Sequence, residues 1–375
     1  MPTGLEAIRA ARHQDKIELR KLWIICLVIF LAGLFYLLCF RGRGLGYVQP
    51  LQVFQNLAAF FKLKFAGLFS RAGYESLQAA VTDLPYYAET IARFRTGILL
   101  GCGGAILALS GLVYQSATRN PMAVPTMLGV SSGVNLAQVL LVINLGESVL
   151  TLSKFHYIYS YGISAIALLI ILVGGKLAGG KNAGVADMLI IGTIVNRILQ
   201  LIVNYYRGQM DTDQLELLME FSEESVDMYD HFSTLGILAG IALVILIPLF
   251  ALRFRYNAIA FSDEDAETMG VRPQALRVYG LVAGALLTTT AMMFCGNVGM
   301  VAMLVPHICR YMFGAEFSKL FWASILVGAL LMVIAEILSR YMYLDDMQVP
   351  IGSIISIIAL PILLWVMIRQ KRGWE

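Results

Sequence analysis

A few groups in this sequence have the types and spacing that chemistry requires. Gly175 to Lys181 fits G-x-x-x-x-G-K, the spacing by which backbone N–H groups cradle phosphates and a lysine neutralises them. Asn182, however, stands where a Ser or Thr would hold magnesium, and GGKLAGGKN follows an apolar run rather than a strand. It reads as a flexible turn, and no second loop of this kind exists, so any ATP-driven activity needs a separate ATPase subunit. His307 lies in VPHICR with no second ligand type nearby, which makes a poor metal site. Cys26, Cys39, Cys102, Cys295 and Cys309 lie in or beside apolar runs without C-x-x-C spacing, and read as small buried side chains. The 17 methionines are scattered and read as packing residues. Clustered acids, histidines or a serine–base pair within apolar segments, which a membrane-embedded enzyme would need, are absent. No catalytic or metal-binding residue is predicted.

Two further sets are polar groups inside apolar runs. DMLIIGTIVNRILQLIVNYY carries Thr193, Asn196 and Arg197, and AEILSRYM carries Glu336 and Arg340 at i,i+4. Such groups usually face a bundle interior or an aqueous path, and an arginine near mid-helix is costly unless paired or wet. Arg197 therefore either contacts an anionic substrate or pairs with Glu336 or a backbone carbonyl.

The surroundings of these groups are those of a membrane protein. Of 375 residues 58% are hydrophobic and 14% charged, with a mean hydropathy of +0.74. That excludes a soluble enzyme, a disordered chain and a disulfide scaffold, and a dispersed net charge of +3 gives no reason to expect a nucleic-acid partner. Spans of about 20 residues fit 22–40, 96–116, 126–144, 159–178, 186–206, 233–252, 276–295, 298–313, 320–342 and 349–368, of which 298–313 is short. The first run lacks a small-residue cleavage signal and reads as a retained helix. With segment 1–21 inside, 17 Lys and Arg fall on the cytoplasmic side and 10 outside, Arg197 lying within a span. An even number of spans returns the tail 369–375 to the cytoplasm. The external segment 41–95 contains the amphipathic stretch LQVFQNLAAFFKLKFAGLF, suited to the outer membrane interface. Segment 207–232 is acidic and external. Segment 253–275 is cytoplasmic and contains SDEDAETMGV, in which acidic residues open a short helix and Gly270 closes it.

Four stretches occur in order: LALSGLVYQSATRNPMAVPTMLGVSSG (107–133), GNVGMVAMLVPHICRYMFG (296–314), AEILSRYM (335–342) and QVPIGSIISIIALPILLWVM (348–367). Together they resemble the permease subunits of binding-protein-dependent ABC importers for iron-siderophore complexes, haem and cobalamin, the FecCD family, over about 280 residues from near Arg93 to the C-terminus. The resemblance implies an all-α polytopic protein of about ten helices with type II ABC importer architecture, its permease domain spanning 22–368. It implies pairing with a second permease, either the same chain or a paralogue. It also implies two cytoplasmic ATPases that hold the ATP and magnesium, and an external binding protein, in a bacterial inner membrane. No cofactor is expected in this chain.

The resemblance also assigns positions. The coupling segment between the sixth and seventh helices falls on Asn257 to Val271, with Asp263, Glu264, Glu267, Met269 and Gly270 as contacts for the ATPase. Binding-protein docking falls on Arg93 and Arg95, where IARFRT lacks the proline of the family's R-L-P-R, and on Arg340 in a match to A-D-x-x-A-R. The cytoplasmic gate falls on Asn120, Pro121 and Met122, and the translocation path on the helix of Thr193, Asn196 and Arg197. An iron complex is the expected cargo, with cobalamin as the alternative. An ion-coupled secondary transporter is the competing class, and Glu336 would be its weak candidate carboxylate.

Overall fold

A computed structural model describes residues 4–39, 47–69, 78, 81, 84–146, 153–179, 184–223, 232–260, 262–344 and 347–372. The order is α1 (Gly4–Cys39), α2 (Pro50–Phe69), α3 (Tyr87–Thr118), a 3-10 turn (Pro125–Leu128), α4 (Val130–Leu145), α5 (Ser153–Gly179), α6 (Val185–Arg207) and α7 (Thr212–Glu223). It continues with α8 (Phe232–Ala251), α9 (Arg253–Ala258), α10 (Asp263–Thr268), α11 (Pro273–Cys295), α12 (Met300–Phe313) and α13 (Phe317–Tyr341). A two-stranded hairpin, β1 (Tyr343–Leu344) with β2 (Met347–Gln348), leads into α14 (Ile351–Arg372).

Each of the ten predicted runs falls on a helix, six of them long and apolar enough to cross a bilayer and four shorter. The boundaries shift for physical reasons. α3 begins nine residues before its apolar run, where Glu89 and Arg93 pair one turn apart at 3.0 Å. α4 begins at Val130 because Pro121 and Pro125 hold the preceding chain out of α-helix. α12 has 14 residues, about 21 Å at 1.5 Å per residue, and does not cross a 30 Å core alone. α2 lies within the expected external segment. It buries Val53, Asn56, Phe60 and Leu63 on one face, and Asn56 Nδ2 donates to Pro85 O and Thr90 Oγ1, both at 3.1 Å.

α3 is the central element, packed by α11, α12 and α13. Its approach to α13 is backbone on backbone, since a Cβ on Gly104 would overlap the Gly328 carbonyl and one on Gly328 would overlap that of Gly104. Against α12 the fit depends on a proline. Pro306 has no N–H, which frees the Ala302 carbonyl four residues back. Gln115 Nε2 donates to that carbonyl and to Met303 O, both at 3.4 Å, and Gln115 Oε1 accepts from Arg310 Nη1 at 2.5 Å. α4, α5 and α6 form a second cluster beside the 3-10 turn.

Candidate functional site

The short helix α10 is specified by its ends. Ser262 Oγ accepts from Asp265 N at 2.9 Å, an N-cap, and Asp263, Glu264 and Asp265 occupy the first turn, where the helix dipole favours anions. Gly270, at φ 74°, closes it with Val271 N donating to Ala266 O and Gly270 N to Glu267 O, both at 2.9 Å. Ala266 is buried, so this helix has an inner side. Glu264, Glu267 and Met269 are exposed, Met269 at 62%.

Asp263 behaves differently from its neighbours. One of its oxygens accepts from Arg119 Nη2 at 2.7 Å and from Arg277 Nη2 at 2.6 Å. Arg119 Nε also donates to Ile259 O at 2.7 Å. The carboxylate thus joins the end of α3, the start of α11 and α10 itself. Arg119 sits at φ 51°, in the left-handed region, which costs a non-glycine residue about 1–2 kcal/mol. Asp263 is half-exposed, so each ion pair contributes about 1 kcal/mol or less. Strain and clamp are therefore of the same size, and the bonds to Asp263 and Ile259 O hold Arg119 in its left-handed conformation.

Arg119 leads directly into the predicted gate. Asn120 Oδ1 accepts from Met122 N at 2.9 Å, Ala123 N donates to Asn120 O at 3.1 Å, and Asn120 and Pro121 are exposed. On the other side of the corner, Asn257 Oδ1 accepts from Phe317 N at 2.7 Å at the start of α13, and Tyr256 stacks on Phe317 at 4.7 Å. Burial pushes the Tyr256 phenol well above its ordinary pKa, so it stays protonated and donates to Leu276 O at 3.5 Å.

The predicted path residues lie on the least buried of the central helices. Thr193 and Arg197 are exposed on α6, and Asn196, half-buried, accepts from Ser132 Oγ at 2.5 Å. Arg197 donates to Gln200 Oε1 at 3.2 Å, and among the described residues it is bonded to neither Glu336 nor a backbone carbonyl. Thr193, Asn196, Gln200, Asn204 and Arg207 recur at helical spacing as a polar stripe beside exposed Ile190, Ile194, Ile198 and Leu201. Beyond the end of that stripe opens a cavity of about 570 Å³, whose polar lining includes Asn135, Gln138, Arg207, Asn297, Ser353 and Ser356.

At the same end of the bundle, Arg93 is buried, paired with Glu89 and donating to Leu38 O at 3.4 Å. Arg95 is half-exposed. Arg340 donates to Glu336 Oε1 at 2.6 Å, one turn back on α13, and Glu336 is itself buried.

The model of the FecCD transport family matches residues 61–369. The chain belongs to that family. FecCD proteins are membrane permeases of ABC importers that act with an ATPase and a substrate-binding protein, and the permease does not itself hydrolyse ATP. This FecCD chain is 26% identical over 268 residues, 72% of its length and 78% of the relative's, to the "Probable iron chelatin transport system permease protein" of Helicobacter pylori strain 26695. It is 26% identical over 279 residues, 74% of its length and 81% of the relative's, to the hemin transport system permease protein HmuU of Yersinia pestis. A solved inward-facing metal-chelate type ABC transporter shares its fold with a TM-score of 0.69 at 20% identity, over 93% of this chain and 99% of that one.

Within this FecCD framework the structure brings together Asp263, Glu264 and Glu267 on one short helix with Met269 and Gly270 at its C-terminal end, and Asn120 to Met122 beside it through Arg119. It keeps Thr193, Asn196 and Arg197 apart from them, on α6. Nothing in the sequence singles out Arg119, Arg277 or Arg207 from the other basic residues. The pairing of Asp263 with Arg119 spans 144 positions and has no periodicity to betray it, whereas the α6 stripe was readable from its spacing. The last two residues of the phosphate-loop match, Gly180 and Lys181, and the following Asn182 lie outside the described residues. Among the described residues no group of three or more His, Cys, Asp or Glu could hold a metal ion, and His307 is buried with Nδ1 2.9 Å from Met303 O.

Proposed function

We propose that this permease carries an iron chelate from an external binding protein into the bacterial cytoplasm. It works with a second permease, the same chain or a paralogue, and with two ATPases that supply ATP and magnesium. The observation that carries the reading is the capped helix α10, which turns Glu264, Glu267 and Met269 outward while Asp263 ties its inner side to α3 and α11. A rigid peg joined to two spanning helices can convert closure of an ATPase groove into helix rotation.

In this reading residues 22–368 form one permease domain, and segments 1–21 and 369–375 and the loop 253–275 face the cytoplasm. Movement of α10 reaches Asn120, Pro121 and Met122 through Arg119 and opens the gate. The second permease covers the exposed side of α6, where Thr193, Asn196 and Arg197 line an aqueous path, since lipid would not accept a bare guanidinium. Arg95 and Arg340, with Arg93 beneath them, meet carboxylates of the binding protein. The iron cargo is supported by the likeness to the Helicobacter iron chelatin permease and the Yersinia hemin permease.

The test is reconstitution of the permease with its ATPase and binding protein in lipid, with ATP hydrolysis followed under ferric siderophore, haem and cobalamin in turn. Stimulation by a loaded iron-siderophore binding protein supports the reading. Stimulation only by cobalamin replaces the cargo, and failure to assemble with any ATPase overturns the coupling role of α10.

A further inference from the structure

Two cavities outside the transport path meet at Trp23 and Trp322. The first, about 570 Å³, is a groove on the outer surface of the bundle between α1, α3 and α13, lined by apolar groups such as Leu27, Phe30, Ile98 and Ala105. The second, about 560 Å³, adjoins it at the end of the bundle that carries α10, and adds Phe250, Arg253, Ser318 and Lys319 to the two tryptophans.

The second cavity is built for an anion. The Arg253 guanidinium lies over the Phe250 ring at 4.0 Å and the Phe254 ring at 4.3 Å, and Nη1 donates to Phe250 O at 2.9 Å. This holds it rigidly and leaves donors over, because none of the ion pairs among the described residues includes Arg253. Ser318 Oγ has no hydrogen-bond partner among the described residues. Lys319 is half-exposed and shares Glu316 at 2.9 Å, so the cavity carries a net positive charge from Arg253. Trp322, half-exposed, stands between the cationic cavity and the apolar groove.

We propose that this compound site binds an anionic phospholipid of the surrounding membrane, with one acyl chain in the groove and the phosphate at Arg253 and Ser318. The elements supply both halves of such a ligand: an apolar slot along spanning helices, an aromatic collar, and a preorganised guanidinium where the headgroup would lie. A soluble anion would have no use for the slot, and a zwitterionic lipid, whose own cation already offsets its phosphate, would leave the Arg253 charge less well compensated than an anionic one. The inner leaflet is implied by the orientation proposed above. The preference for an anionic headgroup does not depend on it.

The experiment uses the full chain in nanodiscs containing a minor fraction of brominated lipid, with quenching of tryptophan fluorescence as the readout, because Trp23 and Trp322 line the site. Brominated phosphatidylglycerol is expected to quench at least threefold more effectively per mole than brominated phosphatidylcholine of the same chains. Arg253→Gln is expected to reduce that ratio to about one, and Arg253→Lys to keep most of it. Ala105→Phe, which fills the groove and leaves the cation in place, is expected to lower quenching by both lipids and decides the matter if Arg253→Gln does not fold. Equal quenching by the two lipids in the unaltered chain, or a ratio unchanged by Arg253→Gln, overturns the proposal.

Discussion

The two ends of the bundle handle charge in opposite ways. At the α10 end one carboxylate, Asp263, joins residues 14 and 144 positions away, so three elements share a single anion. At the other end Glu89–Arg93 and Glu336–Arg340 each close within one turn of one helix. A pair that closes within a helix stabilises that helix and transmits nothing. A carboxylate shared among helices fixes their relative positions, so displacing it must move them. The end that would receive force from an ATPase has the shared anion, and the end that would meet a binding protein has pairs closed within one helix, of which Arg93 also bonds Leu38 O and stays buried while Arg340 keeps part of its surface open.

The largest expected effect tests whether the outer pairs are local and buried. Glu336→Ala leaves Arg340 largely enclosed and unpaired, and is expected to cost about 3 kcal/mol, read as a fall in the thermal unfolding midpoint in detergent. Adding Arg340→Ala should recover most of that loss, and failure to recover it would mean that Arg340 holds more than its own helix. Next, Asp263→Arg turns two attractions into two repulsions at a corner already strained at Arg119. ATP-driven uptake into proteoliposomes is expected to fall about tenfold, the equivalent of ~1.4 kcal/mol, with the ATPase still co-purifying. Retained uptake would erase the contrast between the two ends. Gly270→Ala has space for its Cβ but not the backbone preference, and is expected to weaken ATPase binding by about 1 kcal/mol, measured by titration in lipid. The smallest effect separates neighbours: Arg95→Ala should lower binding-protein affinity about threefold, in the range of an exposed charge pair, while Arg93→Ala should lower stability instead.

These differences also mark what a linear sequence discloses. Glu336 and Arg340, four apart in an apolar run, announced their pairing, and the acidic run at Asp263 with Gly270 announced the limits of α10, because i,i+4 contacts and helix-end preferences are local. The ten apolar runs found their helices for the same reason. The role of Asp263 was hidden, since nothing near it in sequence indicates Arg119, and so was the burial of Arg93, which depends on α1 and α2 folding over it. The position of Pro306 was visible. That Gln115 accepts the task of bonding the carbonyl it frees is a fact of packing between α3 and α12, and no local rule contains it.

The glycine contact between α3 and α13 sets a mechanical boundary condition. Two helices whose backbones touch at Gly104 and Gly328 have no layer of side chains to shear, so they can tilt together but not slide past each other. α3 has 32 residues and is about 48 Å long, so a tilt of about 5° imposed at Arg119 displaces its far end by about 4 Å. The permease thus contains a stiff beam as long as the membrane is thick. Small rotations at one face arrive at the other as displacements of about 4 Å.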